Sequence, residues 1–254
     1  MNIEINGLNI NYEVSGKGTP VILLHGWLCS LETMKPIEME INNNFKVYNV
    51  DLPGFGKSQM PKKPFDTNDF GDFLYDFIKK LNIENPILIG HSNGGRTIIN
   101  YAGRNLGKVN KIILIDSAGI KPKRKMSYYI KVYIYKGLKK FLSIFPNIEM
   151  FNNIRERVLG KFGSSDYKNS PEVLRKTMST IINEDQTEKL KNIKVPTLLL
   201  WGEDDTDTPI QDGKIMESEI PNASLIKIKD AGHFSYIDSY NECISIIKNF
   251  LKEE

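Results

Sequence analysis

The sequence has little cysteine, little histidine and no long apolar run. Its 254 residues include two cysteines, Cys29 and Cys243, which lie far apart, and three histidines. This usage excludes a disulfide scaffold and a cysteine-rich metal site, and it fits a reducing compartment. No apolar run reaches the roughly 18 residues that a membrane span needs. The opening segment, MNIEINGLNINYEVSG, lacks the basic and apolar stretches of a signal peptide, so we expect a cytoplasmic protein.

A strong excess of charge of one sign is also missing. The chain has 34 basic and 31 acidic residues and a net charge of +3, which is too small an excess to indicate nucleic-acid binding. Hydrophobic residues make up 40% and charged residues 26%, as in ordinary globular proteins. A chain of this length can bury a core without disulfides or metal, so we expect one large domain or a core with an insertion.

Short apolar runs that alternate with helical patterns indicate an α/β fold. Residues 2–16 alternate apolar and polar side chains around Asn6-Gly7, which predicts a β-hairpin with a type I′ turn. The alternation of strands and helices predicts right-handed crossovers and a mostly parallel sheet with helices on both faces. The predicted central strands are residues 21–24, 47–50, 86–89, 111–115 and 196–201, and the predicted helices are residues 69–81, 94–105 and 241–251.

One region interrupts this alternation. Residues 121–187 contain no strand-like run, show helical spacing and hold 14 Lys/Arg against 6 Asp/Glu. We therefore predict an α/β core formed by residues 1–120 and 188–254, with residues 121–187 as a helical cap. Residues 121–145 form a basic amphipathic pattern, which is typical of a lid over an active site or of contact with an anionic membrane surface. The lid interpretation is favoured. Aromatic residues interleaved with lysines would also suit nucleic acid, but they stand where core contacts are needed.

The segment Gly90-His91-Ser92-Asn93-Gly94 carries the clearest chemical signal. It follows a predicted strand and precedes a predicted helix, which is the context of the G-x-S-x-G turn. The tightness of that turn demands small residues two places before and after the serine, and its strained backbone exposes the hydroxyl. Ser92 is therefore a candidate nucleophile that needs a base to take its proton. The alternative is a glycine-rich turn with an incidental serine.

The three histidines compete for the role of base. His91 adjoins the serine, so its side chain should leave the turn in a different direction, and His25 directly follows the strand at residues 21–24. His233 lies in a loop between an alternating strand at residues 225–228 and the last predicted helix, where an imidazole can reach the edge of the sheet. His233 is therefore the predicted base, and we expect local hydrogen bonds to fix His25 and His91.

The group that orients the base should be a carboxylate at the end of another strand. The strand at residues 196–201 runs into a loop with four carboxylates, and a further candidate, Asp116, ends the strand at residues 111–115. Periodicity alone does not separate these candidates, although every choice gives the chain order Ser, Asp, His. The four candidates in the loop are Glu203, Asp204, Asp205 and Asp207.

Five motifs occur along the chain, namely LLHGW (23–27), DLPGFGKS (51–58), GHSNGG (90–95), PTLLLWGEDDTDTP (196–209) and AGHF (231–234). Five such motifs in this order resemble the α/β-hydrolase fold superfamily, and the resemblance covers nearly the whole chain apart from the predicted cap. In similar hydrolases the acid is the third residue after a Trp-Gly pair, in the pattern W-G-x-x-D-x-x-x-P, which favours Asp205. The resemblance implies an α/β-hydrolase fold with a helical cap insertion.

Two backbone N–H groups are needed to hold the negative oxygen of an acyl-transfer intermediate. One is expected from Asn93, the residue after the candidate nucleophile at the positive end of a helix. By resemblance, the other comes from Trp27, whose indole would wall the acyl pocket or serve as a packing aromatic.

Arg96 and Phe234 are further candidates for contact with substrate. Arg96 falls in the first turn of a predicted helix, where a cation opposes the helix dipole, so we expect an anionic neighbour. That neighbour is either a core carboxylate or an acidic substrate. The S-x-G-G-R pattern ending at Arg96 resembles a menaquinone-pathway lyase of this fold, whose other signatures are not recognisable in the cap. Phe234 directly follows the predicted base.

The sequence thus predicts a serine hydrolase that cleaves carboxylic esters of small to medium acyl groups, lipid-like ones included, through an acyl-enzyme. Ser92, His233 and Asp205 would act as nucleophile, base and orienting acid on a small-molecule ester. No metal or organic cofactor is expected, because no metal-binding His pair or phosphate-binding loop occurs. Alternatives on the same fold are a C–C bond hydrolase of ring-fission products, a cofactor-free haloperoxidase and a non-catalytic ligand receptor. The C–C hydrolases usually carry Trp where Phe234 stands.

Overall fold

The computed structural model describes residues 1–122 and 170–252. In these ranges the strands form one eight-stranded sheet with the order β1-β2-β4-β3-β5-β6-β7-β8. The first three strands in that order pair antiparallel and the remaining neighbours pair parallel, so the predicted, mostly parallel sheet is confirmed. The strands are β1 Asn2–Ile5, β2 Leu8–Ser15, β3 Thr19–Leu24, β4 Phe45–Val50, β5 Ile87–His91, β6 Ile112–Ile115, β7 Thr197–Gly202 and β8 Ala223–Ile228.

Helices cover both faces of this sheet, as the sequence predicts. A short 3₁₀ helix, Leu31–Met34, precedes the first α-helix. The α-helices of the described ranges are α1 Lys35–Ile41, α2 Thr67–Lys80, α3 Asn93–Gly103, α4 Glu172–Ile181, α5 Thr187–Leu190, α6 Ile210–Glu219, α7 Ser235–Asp238 and α8 Tyr240–Lys252. None of these helices is both long enough and apolar enough to span a bilayer.

The apolar side chains of the strands pack into two hydrophobic layers, one on each face of the sheet, because successive side chains of a strand point to opposite faces. In β3, Ile22 and Leu24 pack into the layer that contains α2, α3 and α6, whereas Val21 and Leu23 pack into the layer that contains α1 and α8. All four side chains are fully buried. Burial on both faces explains why the central strands are uniformly apolar in sequence instead of alternating.

Local sequence signals set the ends of several elements. Asn6 and Gly7 have φ angles of 52° and 75°, which a type I′ hairpin turn requires, and they join β1 to β2 as predicted. Helix α2 begins after Asp66, whose side chain accepts hydrogen bonds from the N–H groups of Asn68 and Asp69. The Asp69 carboxylate in turn accepts the N–H of Asp66 at 2.8 Å, which completes a capping box.

Most of the predicted cap lies outside the described residues, including the basic pattern at 121–145 apart from residues 121 and 122. Its described end, residues 170–187, packs against the core. The Thr177 hydroxyl in α4 accepts the N–H of Phe65 at 2.9 Å, and the Glu184 carboxylate accepts hydrogen bonds from Thr67 at the start of α2. The division into core and cap stays a prediction.

The capping box makes a stability prediction. Replacing Asp66 by Ala leaves the N–H groups of Asn68 and Asp69 without their acceptor, so we expect the free energy of unfolding to fall by about 1 kcal/mol. Urea unfolding of Asp66→Ala measures this difference, and Lys62→Ala, an exposed change in the same loop, is the control. Equal midpoints for the two variants would contradict a stabilising role for the cap.

Candidate active site

A tight turn between β5 and α3 presents Ser92. Its backbone lies at φ 50° and ψ −111°, a left-handed conformation that is costly for a residue with a side chain. The turn leaves no room on either side of the serine. A Cβ added to Gly90 would lie 2.6 Å from the backbone of Gly94 and Gly95, and one added to Gly94 would collide with the carbonyl oxygen of Leu24.

Two further side chains meet Ser92 at the carboxyl ends of the parallel strands. The His233 Nε2 atom lies 3.0 Å from the Ser92 Oγ atom, and the His233 Nδ1 atom lies 2.8 Å from the Asp205 Oδ2 atom. Asp205 follows β7 and His233 follows β8, so three chain segments far apart in sequence converge at one edge of the sheet. Ser92 and Asp205 are buried, and the His233 side chain is 15% exposed.

The hydrogen bonds fix the orientation of the imidazole. An ionised carboxylate only accepts hydrogen bonds, so Nδ1 carries the proton toward Asp205 and Nε2 is left to accept the Ser92 hydroxyl proton. Asp205 is itself held in place, because its Oδ1 atom accepts the N–H groups of Asp207 at 2.8 Å and Thr208 at 3.0 Å. The Thr208 hydroxyl lies 2.7 Å from Asp205 Oδ2. No local sequence pattern singles out Thr208.

These contacts shift the pKa values of His233 and Asp205 in opposite directions. Burial alone lowers the pKa of His233, but the hydrogen bond and the charge of Asp205 outweigh burial and leave the pKa above the ordinary value of 6.5. Burial alone raises the pKa of Asp205, but hydrogen bonds from His233 and Thr208 outweigh it and leave the pKa below the ordinary value of 3.8. At neutral pH Asp205 is therefore ionised.

The other candidate carboxylates do not contact His233 in this way. Glu203, Asp204 and Asp207 are exposed in the loop after β7. Asp116, after β6, is fully buried and accepts hydrogen bonds from the Gly202 N–H at 2.8 Å and, at its other oxygen, from the N–H and hydroxyl of Ser235 at 3.0 Å and 2.7 Å. Burial raises the pKa of Asp116 to about 7. Asp116 therefore connects three loops beneath the site.

The loop after β3 brings the Gly26-Trp27 peptide beside the serine. A Cβ added to Gly26 would lie 2.8 Å from the His91 Nδ1 atom and 3.3 Å from the Ser92 Cβ atom, so a side chain here would force its neighbours to shift. His25 fixes the loop, because its Nδ1 atom lies 2.7 Å from the Gly26 carbonyl oxygen and its Nε2 atom accepts the N–H of Leu52 at 3.0 Å. Burial lowers the pKa of His25 to about 4, so the ring is neutral.

The Trp27 indole is partly buried and packs edge-on against Phe55, with ring centroids 4.9 Å apart. Asn93 is the first residue of α3, so its N–H is one of the groups that a helix leaves unpaired at its N-terminus. Asn93 thus directly follows Ser92, and Trp27 directly follows Gly26, the glycine beside Ser92. Their role in binding an oxyanion stays a prediction.

His91 and Phe234 pack together behind the serine. The His91 Nε2 atom lies 2.7 Å from the His233 carbonyl oxygen, and the His91 ring lies 4.7 Å from the Phe234 ring. Burial lowers the pKa of His91 to about 3, so the neutral ring donates its Nε2 proton to that carbonyl. The Phe234 ring also packs against the layer of α1 and α8. Contact of Phe234 with substrate stays a prediction.

Arg96 is buried inside α3 and its Nη1 atom donates to the Ile181 carbonyl oxygen at 2.6 Å. Within the described residues, no carboxylate lies close enough to Arg96 to form an ion pair. Burial lowers the pKa of Arg96 to about 10, and the more distant charges of Glu184, Asp212 and Asp185 oppose that shift. Contact of Arg96 with an acidic substrate stays a prediction.

Across residues 1–122 and 170–252, no three His, Cys, Asp or Glu side chains form a group that could hold a metal ion. The described site is built from side chains and backbone N–H groups.

Comparison with known proteins identifies the class. A sequence profile described as the alpha/beta hydrolase fold matches residues 19–240. The chain therefore belongs to this family and is a hydrolase of the α/β fold, as the five motifs and the sheet topology predict.

Relatives span almost the whole chain. An AB hydrolase superfamily protein, YisY of Bacillus subtilis, is 29% identical over 257 residues, covering 92% of each chain. A pimeloyl-acyl-carrier-protein methyl ester esterase of Legionella pneumophila is 28% identical and covers 96% of this chain and 100% of its own. The solved esterase EaEST of Exiguobacterium antarcticum superposes with a TM-score of 0.76 at 24% identity, covering 98% of this chain and 97% of its own, and supports the fold alone.

The buried carboxylate beneath the site makes a second stability prediction. Asp116→Ala leaves the N–H groups of Gly202 and Ser235 buried without acceptors, and each such loss costs about 1–3 kcal/mol. We expect urea unfolding to show a loss of at least about 2 kcal/mol, whereas Asp204→Ala, which removes an exposed carboxylate after the same strand β7, changes the free energy of unfolding by less than about 0.5 kcal/mol. Similar losses in both variants would show that Asp116 does not hold the loops together.

Proposed function

We propose that this protein is a serine hydrolase of carboxylic esters, with Ser92 as nucleophile, His233 as general base and acid, and Asp205 as the orienting carboxylate. The observation that carries the proposal is the continuous hydrogen-bonded path from Ser92 Oγ through both ring nitrogens of His233 to Asp205, with distances of 3.0 Å and 2.8 Å. Such a path joins a nucleophile to a base and the base to its orienting group.

In the first half-reaction the Ser92 oxygen attacks the ester carbonyl carbon while His233 Nε2 takes the hydroxyl proton. Asp205 keeps the Nδ1–H tautomer and stabilises the imidazolium that forms. The carbonyl oxygen becomes an oxyanion, which the N–H groups of Trp27 and Asn93 would hold. The tetrahedral intermediate collapses when His233 gives its proton to the departing alcohol, and an acyl group remains on Ser92.

In the second half-reaction water attacks the acyl carbon and gives its proton to His233, and the carboxylic acid leaves as the Ser92 hydroxyl is restored. Both half-reactions therefore use the same base, the same orienting carboxylate and the same oxyanion-binding N–H groups. An ester as substrate is supported by the Legionella pneumophila relative, whose name states methyl ester hydrolysis.

Ester turnover and covalent labelling test the nucleophile. We expect the wild-type protein to hydrolyse p-nitrophenyl esters and to be labelled by a fluorophosphonate at Ser92, located by mass spectrometry. Ser92→Ala should lose more than about a thousandfold in kcat and escape labelling, because no other group can form the acyl-enzyme. The control Ser218→Ala changes an exposed serine on α6 and should match wild type.

Esters of graded acyl length are assayed in the same series. If wild type and Ser92→Ala are equally inert toward every ester, the esterase proposal fails and a C–C hydrolase or a ligand receptor takes its place.

The base makes a prediction about pH. Only neutral His233 can accept the serine proton, and its pKa lies above 6.5, so kcat/KM should rise with pH through a midpoint above 6.5. In Asp205→Asn the carboxylate that raises this pKa is gone, so the midpoint of the residual activity should move to lower pH. In the control Asp204→Asn the profile should stay unchanged. A flat wild-type profile between pH 5 and 8 would remove His233 from the role of base.

A further inference from the structure

Three polar groups surround the hydroxyl of Thr208, which lies in the loop between β7 and α6. The Thr208 Oγ1 atom lies 2.7 Å from Asp205 Oδ2 and 3.3 Å from His233 Nδ1. It also lies 3.0 Å from the backbone carbonyl oxygen of Asp116. Thr208 is only 8% exposed, so solvent has little access to these contacts. The hydroxyl therefore occupies the place where the carboxylate and the imidazole meet.

The backbone of Thr208 is held from two sides. Its N–H donates to Asp205 Oδ1 at 3.0 Å, and its carbonyl oxygen accepts the Trp201 Nε1–H at 2.7 Å. Trp201 is fully buried in the layer that contains α2, α3 and α6, so the core itself holds this donor in place. Because the backbone is already fixed, Thr208 keeps its hydroxyl beside Asp205 at little cost in conformational entropy.

The hydroxyl has one proton and two acceptors within reach. A carboxylate is a stronger acceptor than a backbone carbonyl because it is charged, and the distance to Asp205 Oδ2 is the shorter of the two. The proton therefore points to Asp205 Oδ2, which is the oxygen that also accepts the His233 Nδ1–H at 2.8 Å. Two donors thus share one carboxylate oxygen.

We propose that Thr208 is a positioning residue that limits how strongly Asp205 binds the protonated form of His233, because its hydroxyl occupies the same carboxylate oxygen. This inference rests on the proposed function, since His233 is the proposed base. A donor that stabilises the charged carboxylate makes it a weaker acceptor for a second donor. The bond from Asp205 then orients the ring without holding the imidazolium so firmly that it cannot return its proton to the departing alcohol.

The directions of the pKa shifts agree with this role. Burial acts to raise the pKa of Asp205, and the hydrogen bonds from His233 and Thr208 outweigh burial. Burial acts to lower the pKa of His233, and the bond to Asp205 outweighs it. Without the Thr208 hydroxyl the carboxylate should be a stronger acceptor, so the pKa of His233 should rise further.

Three other titratable groups act on His233, and each belongs to a different loop or strand. They are Asp116 after β6, Asp207 after β7 and His91 at the end of β5. Thr208 contacts the backbone carbonyl of Asp116 and not its carboxylate. Replacing the Thr208 side chain therefore leaves the three hydrogen bonds to that carboxylate in place. The effect of the hydroxyl can be separated from that of Asp116.

The pH profile of ester hydrolysis tests the inference. In Thr208→Val, which keeps the shape of the side chain, the midpoint of kcat/KM against pH should rise by about 0.3–0.5 unit. The activity at pH 6 should then fall about two- to threefold more than the activity at pH 9. Thr208→Ser keeps a hydroxyl and should retain the wild-type midpoint. The matched control Thr197→Val removes a buried hydroxyl at the start of β7, which donates to the Val195 carbonyl oxygen, and should leave the midpoint unchanged.

Titration of His233 by NMR measures the same shift without turnover. The chain has three histidines, and burial lowers the pKa of His25 to about 4 and that of His91 to about 3. Only His233 should therefore gain a proton between pH 5 and 9, and the midpoint of its ring signals should rise in Thr208→Val as the kinetic midpoint does. Burial raises the pKa of Asp116 to about 7, but this group is present in both proteins, so the comparison between them isolates the hydroxyl.

The outcomes separate this inference from the proposed function. If wild type hydrolyses no ester but the NMR midpoint rises in Thr208→Val, the esterase proposal fails while the role of Thr208 is supported. If esters are hydrolysed and the midpoints stay unchanged, or fall because Asp205 turns away from His233, the inference is overturned while the proposed function stands. A loss of activity by the same factor at every pH would show that the hydroxyl only supports the structure, and would also overturn it. Thr208→Ala repeats both titrations should the valine variant fail to fold.

Discussion

The left-handed backbone at Ser92 is the constraint on which the site depends. The chain leaves the central strand β5 and enters α3 within a single residue, and only Gly90 and Gly94 allow the strand, the helix and the end of β3 to come so close. The core layers on both faces of the sheet hold β5 in place, so the strained turn is held by burial of many apolar side chains elsewhere. The result is a hydroxyl that projects from the edge of the sheet while its residue remains almost fully buried.

The groups around Ser92 are positioned mainly by hydrogen bonds from beneath. Asp116 ties the ends of β6 and β7 to the segment after His233, and His91 holds the His233 carbonyl oxygen. These bonds join loops that lie far apart in the sequence. The imidazole can therefore stay within reach of both Ser92 and Asp205 although it lies on an irregular segment. The buried polar groups beneath the site thus fix its geometry on a sheet that the two apolar layers hold in place.

Much of the fold could be predicted because its signals are local. Central strands are apolar along their whole length, α2 has a clear apolar stripe, and Asn6-Gly7 allows one kind of turn. The carboxylate loop after β7 shows where such reasoning stops. Asp204 and Asp205 are neighbours with the same chemistry, and only the path of the loop places one in solvent and the other beside His233. The sequence offers Asp116 only as a candidate acid, and its contacts with Gly202 and Ser235 could not be predicted because these partners come from distant segments.

The sequence by itself determined the class of fold, the order of its elements and the short list of side chains able to do chemistry, since each depends on residue type and on near neighbours in the chain. The tertiary structure decided which members of that list meet, and which buried polar atoms near Ser92 find a partner. Hydrogen bonding of this kind depends on distances of about 3 Å between atoms that are up to 142 positions apart in the chain. No local pattern encodes such a distance, which arises only when the whole sheet has formed.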